Sequence, residues 1–286
     1  MYKINVRSNA MPGFLQRRSN FRLENIAPVF DELTFWASRF GVLLFDNLQP
    51  RKDLDILDVG PATGFPLFEL AGTFGASCRV TGLDVWKEAL ERARLKQQAY
   101  NVPRVEIVEG DAAAMPFADG RFDLVVSNLG INNFDNPRAA LAECYRVLKP
   151  GGRLALTTNL KGHWGEFYEV FRAIIAETGN TQYLERLAAN EEHRGTKESV
   201  SSLLEEAGFR ITRVVEGSFQ MRFADGTALF NHTLTQLGFL DGWRGVVDPT
   251  DEESVFSELE RRLNEIAVLQ GELRMTTPML YIEGEK

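Results

Sequence analysis

The chain has 286 residues, 44% of them hydrophobic and 25% charged, with a net charge of −8 and a pI of about 5.1. That length supports one large domain, or one domain with a smaller cap, around a sizeable core. The acidic balance argues against a nucleic-acid partner, whose phosphates call for a basic patch. Cys78 and Cys144, the two cysteines, have neither metal-ligand nor disulfide spacing and read as small buried apolar groups. The first residues carry positive charge without an apolar signal core, and no run is long enough to span a bilayer. The cytoplasm is the expected location, with no membrane span and no nucleic acid among the partners; a homodimer is left open.

Residues 1–23 read as an irregular segment. From Glu24 to Asn47 the pattern suits one or two amphipathic helices, interrupted at Pro28 and Gly41. A β/α alternation follows. Strands are predicted at 54–59, 79–84, 104–110, 121–127 and 152–158, with helices at 64–74, 86–99 and 137–148. Lys149-Pro150-Gly151-Gly152 reads as a helix stop and turn. Short strands alternating with helices imply parallel pairing with right-handed crossovers.

After residue 158 the rhythm changes. Residues 163–194 look helical, and 196–208 read as a helix capped by Thr196 with a nearby carboxylate and ended by Gly208. A strand at 209–223, a mostly helical block at 227–272 and a last strand at 276–284 complete the chain; Pro278 suits that strand to a sheet edge. The expected fold is α/β: a Rossmann-like, seven-stranded, mostly parallel sheet with the last strand antiparallel, helices on both faces and helical cap insertions. The core is expected over 24–223 and 276–286, with one cap insertion at about 159–195 and a second, helical, over 224–275.

The turn after the first strand decides the ligand class. A dinucleotide site calls for G-x-G-x-x-G with pyrophosphate on the helix N-terminus. Here Gly60-Pro61-Ala62-Thr63-Gly64-Phe65 lacks the second and third glycines. Asp58 stands two residues before Gly60, where a carboxylate is awkward beside pyrophosphate and suited to a cationic ligand. Asp58, Asp84 and Asp111 end three successive strands, spaced by one β/α unit each, and such strand ends face one crevice. A competing role for each is the capping of the next helix.

These residues resemble the class I S-adenosylmethionine-dependent methyltransferases from Asp53 to Asn159. DVGPATG (58–64) looks like their first motif; Asp84 matches the acid that holds the ribose diol; Gly110-Asp111-Ala112 matches the adenine loop, with Met115 and Pro116 after it. SNLGINNF (127–134) and RVLKPGGRLAL (146–156) resemble the regions around strands four and five, particularly in the ubiquinone and menaquinone C-methyltransferases. Ala62 departs from the usual middle glycine, and the tail beyond residue 160 does not follow the quinone enzymes closely. The resemblance implies S-adenosyl-L-methionine as cofactor. It places the cofactor-binding positions at Asp58, Gly60, Ala62, Gly64, Asp84, Val85, Asp111, Ala112, Asn128 and Leu129.

Methyl transfer needs alignment and exclusion of water, and a base only where the acceptor must lose a proton. Segments 128–136, 159–195 and 224–275 follow strands four, five and six and are expected to form a lid for a small, aromatic or lipophilic methyl acceptor. Their aromatic residues, Trp164, Phe167 and Trp243 among them, suit such an acceptor or a cap core of their own. His163, His193 and His232 are the histidines; His163, His232 and Asn132 are the catalytic candidates. The acidic runs at 191–194 and 251–254 lack the pattern of a metal site, and no metal is expected. An NAD-dependent oxidoreductase and a non-catalytic binding module are the competing functions.

Overall fold

The computed structural model describes residues 12–16, 26–27, 30, 34–102, 104–192 and 194–286. Pro28 and His193 lie outside the described residues. In chain order the elements are α1 (Gly13–Gln16), α2 (Thr34–Phe45), β1 (Asp55–Val59), α3 (Leu67–Phe74), β2 (Arg79–Asp84), α4 (Lys87–Tyr100), β3 (Val105–Glu109) and β4 (Phe122–Asn128). A 3-10 turn (Gly130–Asn132), α5 (Pro137–Val147), β5 (Leu148–Asn159), α6 (Gly165–Thr178), α7 (Thr181–Glu192), α8 (Lys197–Glu206) and β6 (Arg210–Phe223) follow. The chain closes with α9 (Gly226–Asn231), α10 (Thr233–Gly238), α11 (Leu240–Arg244), α12 (Glu252–Gln270) and β7 (Leu273–Glu285).

Seven strands form one sheet in the order β3-β2-β1-β4-β5-β7-β6. The first five pair in parallel, and β7 runs antiparallel to β5. The strand side chains alternate between two cores, as a sheet covered on both faces requires. Leu57, Val125, Leu156 and Ile282 pack with Leu141 and Cys144 of α5 and Leu204 of α8. Ile56, Val126, Ala155 and Tyr281 pack with Leu44 of α2 and Leu67 and Leu70 of α3. Both cysteines are buried thiols, and burial pushes Cys144 up to about 12.

Among the described residues the chain divides into two compact units. One comprises residues 21–163, 194–219 and 277–286; the other comprises 1–20, 164–193 and 220–276. The second has an aromatic core: Phe167 stacks on Trp243 at 4.0 Å, and Phe14 on Phe230 at 4.2 Å. A chain of hydrogen bonds leads out of it, with the Trp243 indole donating to the Tyr168 hydroxyl at 3.1 Å and that hydroxyl donating to Asn190 Oδ1 at 2.8 Å.

Four sequence expectations change. Gly41 lies inside α2 rather than interrupting it; a Cβ there would meet the Phe65 ring at 2.3 Å, so the glycine serves close packing. The helix before Lys149-Pro150-Gly151-Gly152 does end, at Val147, but the run itself is no free turn. Phe122 pairs with Leu148 and Leu124 with Arg153, so the four residues bulge out within β5, and Gly151 and Gly152 exchange backbone hydrogen bonds with Lys286. The strand with Pro278 is interior, between β5 and β6. Its pairing to β5 begins at Met279, so the missing proline N–H falls just beyond the ladder. Finally, Ser199 rather than a carboxylate closes the capping box with Thr196.

No helix among the described residues is long and apolar enough to cross a membrane.

Candidate functional site

The strand order reverses direction between β1 and β4, the switch point at which open α/β sheets take ligands. β1 leaves the sheet through a tight turn. Gly60 and Gly64 take φ of 83° and 111°, and Ala62 between them takes 45°, a left-handed conformation that disfavours a Cβ. Long-range contacts fix this turn: Gly60 N–H donates to Leu83 O at 2.9 Å, and Lys96 Nζ of α4 donates to Thr63 O at 2.8 Å.

Asp58 is fully buried. It lies on the Ile56 side of β1, and neither carboxylate oxygen has a hydrogen-bond partner among the described residues. Burial, helped by the charge of Asp84, drives its pKa well above the ordinary carboxylate range; the Leu67 amide at the start of α3 opposes the shift without completing a hydrogen bond. Asp84 ends β2 two strand positions along the same edge. Its Oδ2 accepts from Ala62 N at 2.8 Å and its Oδ1 from Trp86 N at 2.9 Å. Burial raises its pKa, against the pull of the Trp86, Ala62 and Val85 amides. Each oxygen keeps one lone pair for a ligand. Next to it Val85 is 65% exposed, and the Trp86 indole N–H is buried without a partner among the described residues.

Asp111 follows β3 and accepts from Ala113 N at 2.8 Å, an Asx-turn. The loop it opens is tied down from α5. Arg146 donates to Met115 O at 3.0 Å and Phe117 O at 2.7 Å, and Glu143 accepts from Met115 N at 2.7 Å. Sequence reasoning passed over Glu143 and Arg146; their (i, i+3) spacing on a helix is the signal that was there.

At the exit of β4, Asn128 is buried and uses both ends of its amide: Oδ1 accepts from Thr157 Oγ1 at 2.7 Å and Nδ2 donates to Ala37 O of α2 at 3.2 Å. Leu129 takes φ of 67° and leads into the 3-10 turn. That turn lies against β1: a Cβ on Gly130 would fall 3.0 Å from Val59 O, and one on Gly60 would fall 3.7 Å from the Gly130 Cα. Asn132, at the end of the turn, bonds both Thr158 Oγ1 at 2.7 Å and Asn159 Oδ1 at 2.6 Å.

The histidines differ. His163 is buried, edge-on to Trp36 at 5.4 Å, and burial, aided by the nearby Arg194 charge, holds its pKa well below the usual value. His232 belongs to the other unit; its Nδ1 accepts from Leu234 N at 3.2 Å and so caps α10. Around Trp36 the first unit also gathers Phe40 at 5.3 Å and Phe219 at 5.6 Å.

The arrangement suits a ligand with a cationic end and a diol. The orphaned Asp58 carboxyl faces the demand for a cation, the Asp84 carboxyl matches a diol, and exposed Val85 gives an apolar face for a flat ring. S-adenosylmethionine fits these demands on each count.

The sequence pattern of the family described as "Methyltransferase domain" matches residues 57–156. The demethylmenaquinone methyltransferase of Listeria monocytogenes is 30% identical over 210 residues, covering 68% of this chain and 88% of the relative. The enzyme of the same name from Lactococcus lactis is 40% identical over 101 residues, 35% of this chain and 40% of that one. Among solved structures, an S-adenosylmethionine-dependent methyltransferase of Aquifex aeolicus superposes with a TM-score of 0.53 at 23% identity, over 68% of this chain and 93% of its own, a likeness of fold. With S-adenosylmethionine as its cofactor and methyl transfer as its reaction, the chain belongs to the class I S-adenosylmethionine-dependent methyltransferases.

Proposed function

We propose that the enzyme methylates a small aromatic acceptor of the reduced-quinone type. On this reading Asp58, Gly60, Ala62, Gly64, Asp84, Val85, Asp111, Ala112, Asn128 and Leu129 form the cofactor site. The observation that carries the cofactor assignment is the Asp58 carboxyl, fully buried and without a partner among the described residues; a group this costly to bury calls for a ligand cation. The names of the relatives support the acceptor class.

The bound cofactor supplies a methyl group already activated by a sulfonium. The chain has then to hold, orient and keep dry. Asp58 would pair with the ammonium, Asp84 would accept from both ribose hydroxyls, and the Asp111–Ala112 loop, pinned by Glu143 and Arg146, would take the adenine edge. His163 is the imidazole of this unit that could take a proton from an acceptor hydroxyl, and the burial that holds its pKa low weakens it as a base.

The test uses purified protein, methyl-labelled S-adenosylmethionine and 1,4-dihydroxynaphthalene under anaerobic conditions. Label recovered in the methylated naphthalene is the expected result. S-adenosylhomocysteine binding without any label transfer would overturn the acceptor class and leave the cofactor site standing.

A further inference from the structure

We propose that the Asn159 carboxamide is the donor that grips an oxygen of the methyl acceptor, and that Thr158 and Asn132 hold it in place for that task. The proposal rests on the reduced-quinone reading above and names the part of the acceptor that is recognised. Asn159 is the last residue of β5 and is 3% exposed.

Its polarity is set by a relay. The Thr158 hydroxyl has two acceptors in reach, Asn159 O at 3.2 Å and Asn132 Oδ1 at 2.7 Å; the shorter bond makes Asn132 Oδ1 the acceptor and leaves the Asn132 amino group to donate to Asn159 Oδ1 at 2.6 Å. Turning the Asn159 amide over would set two amino groups against each other. The relay therefore directs Asn159 Nδ2 away from Asn132, and that buried amino group has no hydrogen-bond partner among the described residues. A buried donor left unpaired carries its full desolvation cost, and such groups persist where another partner arrives.

The neighbouring strand gives the contrast. Asn128 is also a buried asparagine at a strand exit, and both of its amide poles are used, by Thr157 and Ala37. The protein's own groups are thus able to engage both poles of an asparagine at this edge, and among the described residues they leave the Asn159 donor pole open. The position fits an acceptor site. Asn132 sits on the turn that lies against the β1 exit through Gly130, and Asn159 is joined to it directly. The complementary ligand group is an oxygen with a lone pair, a quinol oxygen or a carbonyl, beside the atom to be methylated.

The experiment compares Asn159→Leu, which removes both poles, with Asn159→Asp, which keeps the shape and replaces the amino group by a carboxylate oxygen. With 1,4-dihydroxynaphthalene as acceptor, Asn159→Leu should lower kcat/KM by about ten- to hundredfold. Its S-adenosylhomocysteine affinity should stay within about twofold of the parent chain, as expected for a residue outside the cofactor contacts. Asn159→Asp should be equally impaired at pH 8 and recover as the pH falls, because a protonated carboxyl regains a donor and burial brings that protonation toward neutral pH. The parent chain should show no such recovery. An Asn159→Leu enzyme as active as its parent, or an Asn159→Asp enzyme with parental activity at pH 8, overturns the proposal.

A second measurement stands apart from turnover and from the folding of variants. In the parent chain saturated with S-adenosylhomocysteine, the Asn159 side-chain NH2 resonances should shift downfield on addition of 1,4-dihydroxynaphthalene. A shift without methyl transfer would sink the acceptor's role as substrate and keep the hydrogen bond. No shift overturns the hydrogen bond itself, whatever turnover shows.

Discussion

β1 carries an aspartate at its first position, Asp55, and another, Asp58, next to its last, and the two live under opposite rules. At the start of the strand, Asp55 is paired by Arg79 through two bonds of 2.6 and 2.9 Å, and this pairing holds its pKa below the usual value. Beside it Lys149 binds Asp123 at 2.8 Å, and on β3 Glu106 takes Arg121 at 2.8 Å. At the strand's other end, Asp58 is buried with no hydrogen-bond partner among the described residues and its pKa is driven up; Asp84 is raised as well. One end of the sheet neutralises its own carboxylates, as a structural edge does. The other keeps them uncompensated, which a fold tolerates where a ligand completes the charge.

The largest expected effect that would sharpen this contrast is on cofactor affinity. Asp84→Ala should weaken S-adenosylhomocysteine binding by about 1.5–3 kcal/mol, the range for hydrogen bonds to a charged group, read by calorimetry, with the far-ultraviolet spectrum unchanged. Unaltered affinity would remove Asp84 from the proposed ribose contacts.

Asp58 should act on affinity and stability in opposite senses. Its folded-state pKa lies above the unfolded value, so the folded chain holds a proton that the unfolded chain has already lost. Stability from this group is present below the ordinary carboxylate pKa and is lost as the pH rises through the folded value. Asp58→Asn should therefore melt higher than its parent at pH 8, by about 2–4 °C for each kcal/mol relieved, with the gap closing toward pH 4. The same variant should bind S-adenosylhomocysteine more weakly, and its affinity should lose the parental tightening with rising pH. A variant that melts lower than its parent at pH 8 would show that the carboxylate is satisfied after all.

Asp55 supplies the mirror-image test. Asp55→Ala should cost about 1 kcal/mol or less, because Arg79 is largely exposed and solvent screens such pairs. The sign is reversed: a lowered pKa gives stability that is present above the unfolded value and lost as the pH falls through the folded one. Urea titrations should show the loss at pH 7, reduced in high salt, with S-adenosylhomocysteine affinity untouched. A changed affinity would mean that the two ends of the sheet are not independent.

The comparison also shows what a sequence carries. Alternating apolar runs ending in acids are local signals, and the strands at 79–84 and 209–223 were read within a residue of their observed bounds. Elements set by partners far along the chain were not legible. The glycines after Pro150 read as a turn because nothing local announces their pairing with Lys286. Gly41 read as a break because its reason is the ring of Phe65. At the candidate site the acids stood out by their spacing, whereas Asn159 was read as the first residue of the cap insertion, one place beyond the fifth strand, and the strand in fact includes it. Its signal was the polar run Thr157-Thr158-Asn159 closing a buried strand, which says that something polar waits there but not what.

Ala62 carries the smallest of these tests and sits at the position where the glycine pattern breaks. Its φ of 45° costs a residue with a Cβ about 1–2 kcal/mol, and Ala62→Gly would relieve that strain while adding freedom to the unfolded chain worth about 0.4–1 kcal/mol. The expected net gain is under about 1 kcal/mol by thermal melting. Affinity for S-adenosylhomocysteine should change less still, because the Ala62 contact to Asp84 is made by its backbone N–H, which glycine retains. A marked loss of affinity in Ala62→Gly would assign the methyl group a packing role against the cofactor, and the open end of the sheet would then be shaped by apolar fit as well as by charge.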